Sequence, residues 1–355
     1  MPRPRALVVD DSVVARRLVS KALSSEGSVE VAGVAADGRL ALDAIERLRP
    51  DVVILDVQMP VMDGLEALDA IRDRWPALPV IMFSTLTARS AEVTLDALAR
   101  GANDYVLKPT GVPGPTAAMA RIREDLVPRI LALLSPAAPA SPPPTPVGSG
   151  PPARIDAVAL AISTGGPTAL ARLLPALPAS TPVPVLIVQH MPPMFTRILS
   201  ERLDRSCDLH VVEAADGQIL RRGGVWIAPG DHHMTVERDG PIRIRTNVGP
   251  RENSCRPSAD PLFRSVAEVF GANALGVVMT GMGSDGLRGA EALIAAGAHV
   301  IAQDQATSVV WGMPGYVVSA GLADAVLPLD RIAGEILRRA HVGRAADRTP
   351  VVTVS

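Results

Sequence analysis

Short apolar runs alternate with helical segments along most of the chain, and this alternation is the strongest constraint on its fold. Residues 3–134 contain five such repeats, from the apolar run 6–9 to the helical segment 117–134. The runs are continuously apolar, which is typical of parallel strands that are covered by helices on both faces. The pattern predicts an α/β domain in which five βα units form one parallel sheet.

A second α/β pattern follows a proline-rich segment. Residues 135–152 have no apolar period and are predicted to be a semi-rigid linker. Residues 153–342 again alternate apolar runs with helical segments, which predicts a doubly wound, mostly parallel sheet. The short runs between residues 225 and 246 are expected to form a β-hairpin insertion, and residues 343–355 are expected to form a tail.

Composition excludes several classes of protein. The formal net charge is −2 and aromatic residues make up 3% of the chain, which disfavours both a DNA-binding footprint and a stacking platform for single strands. No apolar run approaches the ~18 residues of a membrane span, and the N-terminal segment lacks the apolar region of a signal peptide. Cys207 and Cys255 are too few for a disulfide framework or a zinc site. We therefore expect a cytoplasmic protein that neither enters a membrane nor binds nucleic acid.

Acidic residues follow the first and third predicted strands. Asp10 and Asp11 come after the first strand, and Asp56 comes after the third. The carboxyl ends of parallel strands meet at one edge of a sheet, so these carboxylates are expected to share a cation, and Mg²⁺ prefers oxygen ligands. Ser84 and Lys108 end the fourth and fifth strands. A carboxylate nucleophile, Mg²⁺, a hydroxyl and an ammonium are the groups needed to accept and hold a phosphoryl group.

This first unit resembles the response-regulator receiver domain, which has a flavodoxin-like (βα)5 fold. The motifs that carry the resemblance are Asp10-Asp11, Asp56 with Met59-Pro60 and Gly64 after it, Ser84, and Tyr105 before Lys108-Pro109. The resemblance implies that Asp56 is the phosphoacceptor. The Mg²⁺ ligands that it implies are Asp10, Asp11, Asp56 and the backbone carbonyl of Gln58. It further implies that Ser84 and Lys108 sense the phosphoryl group, that Tyr105 is an aromatic switch, and that Lys108–Pro109 is a cis peptide.

The second unit begins with an apolar run that ends in a hydroxyl-bearing turn. Residues 157–162 are followed by the sequence STGGP at 163–167 and then by a helical pattern. Glycines permit a sharp turn, and Pro167 suits the first helical position. Ser163 is therefore expected at the carboxyl end of a strand, beside backbone N–H groups that can stabilise an oxyanion. The turn is similar to the nucleophile elbow of hydrolases, and a Ser/Thr helix cap is the alternative.

A serine nucleophile requires a base and an orienting acid. His190 is the best-placed base because it follows the apolar run 185–188, which is expected to neighbour the strand 157–162 in the sheet. Asp285 is the first choice for the acid because it follows the run 274–280 at a helix start. The less favoured alternatives are His210, His232, His233, His299, Asp231, Asp260 and Asp304.

The segment that contains Asp285 also admits a different function. Gly281-x-Gly283-x-x-Gly286 matches a dinucleotide-binding fingerprint, and Asp304 lies near the expected spacing of ~20 residues beyond it. This loop comes late in the unit, and a dinucleotide site leaves Ser163 unexplained, so we favour catalysis. A dinucleotide-binding enzyme and a non-catalytic output module stay open as alternatives.

The two units in this order resemble the chemotaxis protein-glutamate methylesterases of the CheB family over about residues 3–340. The motifs that carry the resemblance are AISTGG at 161–166, QHMP at 189–192, APG at 228–230, RPS at 256–258, TGMGSDG at 280–286, QD at 303–304 and GMP at 312–314. The resemblance implies hydrolysis of glutamate methyl esters on chemoreceptors, and deamidation of glutamine, without a cofactor at the esterase site. The same esterase in another sensory system is an open alternative.

The CheB resemblance also assigns residues and partners. It implies that Ser163 is the nucleophile, His190 the general base and Asp285 its orienting acid. It implies that Thr164 and the Met282 backbone help to form the oxyanion and substrate site. A chemotaxis histidine kinase is the expected phosphoryl donor. We expect the unphosphorylated receiver to pack over the esterase site and phosphorylation to relieve this block.

Overall fold

The structure is a computed structural model that describes residues 3–25, 27–135 and 154–344. The predicted linker 135–152 therefore lies outside the described residues except for Ser135. The predicted tail 343–355 lies outside them except for Gly343 and Arg344. Among the described residues, no helix combines the length and the apolar character that a membrane span requires.

The first unit is a five-stranded sheet in the order β2-β1-β3-β4-β5, with every neighbouring pair parallel. Its strands are β1 Arg5–Val9, β2 Glu30–Ala35, β3 Val52–Asp56, β4 Val80–Ser84 and β5 Asp104–Leu107. Its helices are α1 Val13–Ser24, α2 Gly38–Leu48, α3 Gly64–Arg74, α4 Ala88–Ala99 and α5 Gly114–Leu134. The predicted five βα units are confirmed. Helix α4 begins at Ala88 because Thr87 caps it, and the Thr87 side chain accepts a hydrogen bond from Ser90 N.

The second unit is a seven-stranded sheet in the order β14-β13-β12-β6-β7-β9-β8, and every neighbouring pair is parallel. Its strands are β6 Ala157–Ile162, β7 Val185–Gln189, β8 His210–Glu213, β9 Gly224–Ile227, β12 Ala274–Val278, β13 His299–Gln303 and β14 Ala325–Leu327. Strands β10 His233–Arg238 and β11 Ile242–Asn247 form a separate antiparallel hairpin. Its helices are α6 Gly166–Leu173, α7 Pro193–Asp204, α8 Ala259–Phe270, α9 Leu287–Ala295, α10 Met313–Ser319 and α11 Leu329–Ala340.

Two sequence predictions for this unit need correction. The run at 225–227 was expected within the hairpin insertion, but it belongs to β9, which pairs in parallel with β7 and β8. The first hairpin strand is β10, which was not predicted because only Met234 and Val236 give it an apolar alternation. Helix α10 was also missed, because seven residues that include a proline and a glycine give no helical period.

Strand β6 lies at the centre of the second unit and explains where the site forms. Its apolar side chains are fully buried and alternate between two faces. Val158 and Leu160 pack in the core with α6 and α7, whereas Ala159 and Ala161 pack in the core with α8. Because β7 and β12 flank β6, the residues that follow these three strands meet at one edge of the sheet.

Candidate functional site

The acidic residues of the first unit lie together at the carboxyl ends of β1 and β3. Asp10, Asp11 and Asp56 each offer a carboxylate oxygen, and these atoms lie within 4.8 Å of one another. Asp10 Oδ2 is buried, and Lys108 Nζ lies 2.8 Å from it. Three carboxylate oxygens this close together fit Mg²⁺, which prefers oxygen ligands.

Lys108 connects two of these carboxylates. Its Nζ lies 2.8 Å from Asp10 Oδ2 and 2.8 Å from Asp56 Oδ2. Burial raises the pKa of Asp56, and the hydrogen bond from Lys108 offsets only part of this effect. Burial also disfavours the ammonium, but the hydrogen bonds to both carboxylates outweigh it, so the pKa of Lys108 is raised. Three carboxylates and one ammonium leave two negative charges, which one divalent cation would balance.

The remaining residues predicted for this site take up different environments. Ser84 is fully buried at the end of β4, and its Oγ accepts a hydrogen bond of 2.8 Å from Thr94 Oγ1. Gln58 is exposed in the loop after β3. Tyr105 faces the second unit instead of the acidic cluster, and its ring stacks on Phe195 with centroids 4.8 Å apart.

The expected cis peptide at Lys108–Pro109 is wrong. Among the described residues the cis bond is Arg256–Pro257. The trans form is the intrinsic preference of an X–Pro bond, and the Lys108 ammonium reaches both carboxylates without the cis form.

Ser163 lies at the end of β6, where the turn into α6 begins. Its N–H donates to Thr280 O (3.0 Å), and its carbonyl accepts from Gly166 N (2.8 Å) and from Gln189 Nε2 (3.0 Å). Gly165 has a φ of +78°, which a glycine adopts without strain. These bonds hold Ser163 at the amino end of α6, the position that the sequence predicted.

His190 and Asp285 form a close pair although they are 95 residues apart. His190 Nε2 lies 2.7 Å from Asp285 Oδ2, and His190 Nδ1 lies 3.7 Å from Cys255 Sγ. Burial disfavours the imidazolium, but hydrogen bonds to Asp285 and Cys255 outweigh it and raise the pKa of His190 to about 10. Burial disfavours the carboxylate too, but His190 lowers the pKa of Asp285 to about 2. The contact therefore favours the charged form of each side chain.

Several groups that the sequence did not point to also hold Asp285. Its Oδ1 accepts from Ser258 Oγ (2.6 Å) and Asn253 Nδ2 (2.8 Å), and its Oδ2 accepts from Ala259 N (2.7 Å). Ser258 had a sequence signal, because it directly precedes α8 as a helix-capping residue does. The turn that presents Asn253 has no comparable signal.

A cavity of about 630 Å³ connects these groups. Ser163, His190 and Cys255 line it, together with Lys108 and Arg129 from the first unit. Within the described residues, Ser163 Oγ makes no hydrogen bond to His190. The cavity lies where the two units meet, so the first unit forms part of the wall around Ser163.

The two predicted oxyanion residues belong to segments that adjoin Ser163. Thr164 is buried, and its Oγ1 donates to Asp104 Oδ2 of the first unit (3.0 Å). Met282 belongs to the loop after β12, which packs closely on Ser163. A Cβ on the preceding Gly281 would lie only 2.8 Å from Ser163 Cβ.

The less favoured histidines and acids have structural partners of their own. His233 Nδ1 accepts from Ser258 N (3.2 Å), and Asp304 Oδ1 accepts from Thr307 N (2.9 Å) in a local turn. The glycine loop is not free to bind a pyrophosphate, because Asp260 Oδ1 already occupies the N–H groups of Gly286 (3.0 Å) and Gly289 (2.7 Å). This arrangement does not favour a dinucleotide site.

The two units contact each other beside the cavity. Besides the bond between Thr164 and Asp104, Thr168 Oγ1 donates to Leu98 O (3.0 Å), and Arg202 forms an ion pair with Asp96. Asp104 is buried and lies 3.1 Å from Arg129 Nε. Burial raises the pKa of Asp104 more than Arg129 lowers it. The contacts come from α4 and β5 on one side and from the Ser163 turn, α6 and α7 on the other.

Comparison with known proteins matches both units. The family model of the CheB methylesterase matches residues 158–336, and that of the response regulator receiver domain matches residues 6–117. The chain is 48% identical to a protein-glutamate methylesterase/protein-glutamine glutaminase of Trichodesmium erythraeum, over 96% of this chain and 99% of that protein. It is 50% identical to a protein of the same name from Nocardioides sp., over 96% of each. The CheB methylesterase catalytic domain of Thermotoga maritima is 40% identical and covers 52% of this chain and 97% of its own, with a TM-score of 0.51.

Proposed function

Because the chain belongs to the CheB methylesterase family and carries a receiver domain, we propose that it removes methyl esters from glutamates of chemoreceptors and deamidates glutamines to glutamate. We assign the receiver to residues 3–134 and the catalytic domain to 153–342, joined by a linker and followed by a tail. The protein acts in the cytoplasm, where a chemotaxis histidine kinase supplies the phosphoryl group. The observation that carries the proposal is the hydrogen bond between His190 and Asp285, because His190 lines the same cavity as Ser163.

The reaction follows a Ser-His-Asp mechanism. Ser163 Oγ attacks the ester carbonyl while His190 takes its proton. Because Asp285 engages His190 Nε2, Nδ1 is the ring nitrogen that accepts this proton. The tetrahedral intermediate collapses, and the proton passes from His190 to the departing methoxide, which leaves as methanol. Water activated by His190 then cleaves the acyl-enzyme, which restores Ser163 and releases a carboxylate.

The negative charge of the tetrahedral intermediate forms beside the turn that follows β6. Thr164 and the Met282 backbone are the groups that we assign to the oxyanion and substrate site. Their support is proximity, because Thr164 adjoins the nucleophile and the Met282 loop packs on Ser163. Asp285 holds the imidazole in one orientation and stabilises its charged form.

Asp56 is the phosphoacceptor of the receiver. Mg²⁺ would be held by Asp10, Asp11, Asp56 and the carbonyl of Gln58, and it would neutralise charge on the transferring phosphoryl group. Lys108 reaches the Asp56 carboxylate and senses the phosphoryl group there together with Ser84, while Tyr105 acts as the aromatic switch.

The unphosphorylated receiver restrains the esterase. The carboxylate of Asp104 accepts the hydrogen bond of the Thr164 hydroxyl, which lies next to the nucleophile. The stacked rings of Tyr105 and Phe195 hold β5 against α7. Phosphorylation at Asp56 acts through Ser84, because the Ser84 hydroxyl bonds to Thr94 of α4, the helix that faces the catalytic domain. A shift of α4 and β5 would separate these contacts.

Methanol release from a methylated receptor tests the catalytic part of the proposal. Ser163→Ala is expected to abolish release, whereas Ser206→Ala, at the far end of α7, is expected to leave it unchanged. Release that persists in Ser163→Ala would exclude Ser163 as the nucleophile.

The regulatory part is tested by rates with and without a small phosphoryl donor and Mg²⁺. The donor is expected to raise the rate of the wild-type chain but not that of Asp56→Ala. Equal rates with and without the donor, or stimulation that survives Asp56→Ala, would overturn this part alone.

A further inference from the structure

Residues Glu252–Cys255 form a tight turn at the rim of the cavity. Cys255 N donates to Glu252 O (2.8 Å), and Glu252 N donates to Cys255 O (3.2 Å). The two central residues, Asn253 and Ser254, have φ angles of +51° and +62°. A turn with two such angles ordinarily contains glycine, and neither residue is glycine. Contacts outside the turn must therefore hold this conformation.

The side chain of Asn253 makes two such contacts. Its Nδ2 donates to Asp260 Oδ2 and to Asp285 Oδ1, each at 2.8 Å. Both aspartates are almost completely buried. One amide group therefore uses both of its hydrogens to bridge two buried carboxylates.

This bridge lies next to the catalytic pair. Asp260 Oδ1 accepts from Gly289 N, so the carboxylate has a fixed place at the start of α9. Asp285 Oδ1 accepts from Asn253, which leaves Oδ2 turned towards His190 Nε2 (2.7 Å). Gly286 N also lies between the two carboxylates, 3.0 Å from Asp260 Oδ1 and 3.0 Å from Asp285 Oδ1. Loss of the Asn253 amide would therefore leave one shared N–H between them, increase the repulsion between Asp260 and Asp285, and loosen the orientation of Asp285 towards His190.

The surrounding charged groups anchor the turn. Glu252 pairs with Arg264 of α8 at 2.7 Å, which fixes the first residue of the turn. Cys255, its last residue, lies 3.7 Å from His190 Nδ1. The titratable and charged groups that face the Asp285 carboxylate and its bridge are therefore His190, Asp260, Cys255, Glu252 and Arg264.

We propose that Asn253 is a positioning residue of the esterase, and that its amide bridges Asp260 and Asp285 and so fixes the carboxylate that orients His190. The inference rests on the proposed Ser-His-Asp mechanism. It differs from a purely conformational role, in which Asn253 is present only because asparagine tolerates a positive φ.

Two substitutions separate these roles. Asn253→Gly favours the same backbone conformation but removes the amide. Asn253→Asp keeps the size of the side chain and introduces a carboxyl group, which can donate one hydrogen bond when protonated and adds a third negative charge when ionised. Asn273→Asp is the matched control, since its side chain makes no hydrogen bond among the described residues and it lies at the opposite end of the sheet.

The variants are assayed as full-length chains with a phosphoryl donor and Mg²⁺, and kcat and KM for methyl-ester hydrolysis are measured between about pH 6 and 9. Asn253→Gly is expected to lower kcat about tenfold with little change in KM, because a hydrogen bond to a charged group is lost. The activity of Asn253→Asp relative to wild type is expected to fall as pH rises. Asn273→Asp is expected to match wild type throughout.

A wild-type kcat in Asn253→Gly, or a constant activity ratio for Asn253→Asp, would overturn the proposal. Because ionisation of the introduced carboxyl can also destabilise the fold as pH rises, the folded fraction of Asn253→Asp is measured by circular dichroism at each pH, and the activity ratio is calculated per folded molecule. Ser163→Ala in the same assay identifies which inference has failed. If it stays active, the mechanism is wrong, and if it is inactive while the Asn253 variants are normal, only the role of Asn253 is wrong.

Discussion

Asp104 provides the most direct test of receiver control. Its carboxylate accepts the Thr164 hydroxyl across the contact between the two units, at 3.0 Å. Asp104→Ala removes this acceptor and the ion pair with Arg129, and it leaves Thr164 and the residues assigned to the esterase reaction intact. We expect the unphosphorylated chain to hydrolyse methyl esters faster.

The size of the effect follows from the contact. A hydrogen bond to a charged group stabilises by ~1.5–3 kcal/mol. Burial raises the pKa of Asp104 and so offsets part of this gain, which makes the lower end of the range appropriate. Because ~1.4 kcal/mol corresponds to a factor of ten in an equilibrium constant, we expect about a tenfold increase in the unphosphorylated rate. The fully phosphorylated rate sets the upper limit.

The assay is methanol release without a phosphoryl donor, compared with the rate when the donor is present. Asp69→Ala is the control, because it removes an exposed receiver ion pair with Arg100 and leaves the contacts with the catalytic domain intact. An unphosphorylated rate that stays at the wild-type level in a folded Asp104→Ala chain, with normal activity after phosphorylation, would refute the reasoning.

Four further predictions concern the two sites. The esterase rate is expected to keep rising as pH increases above ~6.5, the ordinary pKa of histidine. The reason is that His190 must be neutral to accept a proton, and its pKa is raised to about 10. A rate that has already reached its plateau below pH ~6.5 would contradict this expectation. The raised pKa of His190 also contributes to the stability of the folded chain. This contribution is fully present below pH ~6.5 and is lost as pH rises towards 10. The melting temperature should therefore fall over this pH range more in wild type than in His190→Ala. Chelation of Mg²⁺ is expected to abolish stimulation by a phosphoryl donor and to spare the unstimulated rate; loss of both would argue against a receiver-only metal. Gly281→Ala is expected to lower kcat by about tenfold or more, because the new Cβ would lie only 2.8 Å from Ser163 Cβ. A wild-type kcat would show that the loop moves to relieve this contact, and it would contradict the prediction.

The arrangement of strands was predictable because continuous apolar runs identify parallel strands and their ends identify the ligand edge. This reasoning predicted that β6 and β7 are neighbours, which the structure confirms. It also selected His190 and Asp285, which the structure brings within hydrogen-bond distance. The position of β9 was not predictable, because an apolar run does not reveal which strand it pairs with.

The residues that surround His190 and Asp285 could not be predicted from the sequence either. Asn253 and Cys255 reach the pair through a turn whose positive φ angles have no glycine to indicate them. Asp104 has no sequence motif that marks it as a site residue, and its contact with Thr164 depends on how two domains pack. Such contacts join residues that are distant in the chain, and the local spacing of apolar residues, which predicts helices and strands, does not predict them.

The identity of the nucleophile is tested most directly by mass spectrometry of the enzyme quenched during turnover of a methyl-ester peptide. Ser163 and Cys255 both line the cavity together with His190. We expect the acyl group to be found on Ser163, and to be absent from Ser163→Ala. An acyl group on Cys255 that persists in Ser163→Ala would contradict the assignment of Ser163 as the nucleophile of this esterase.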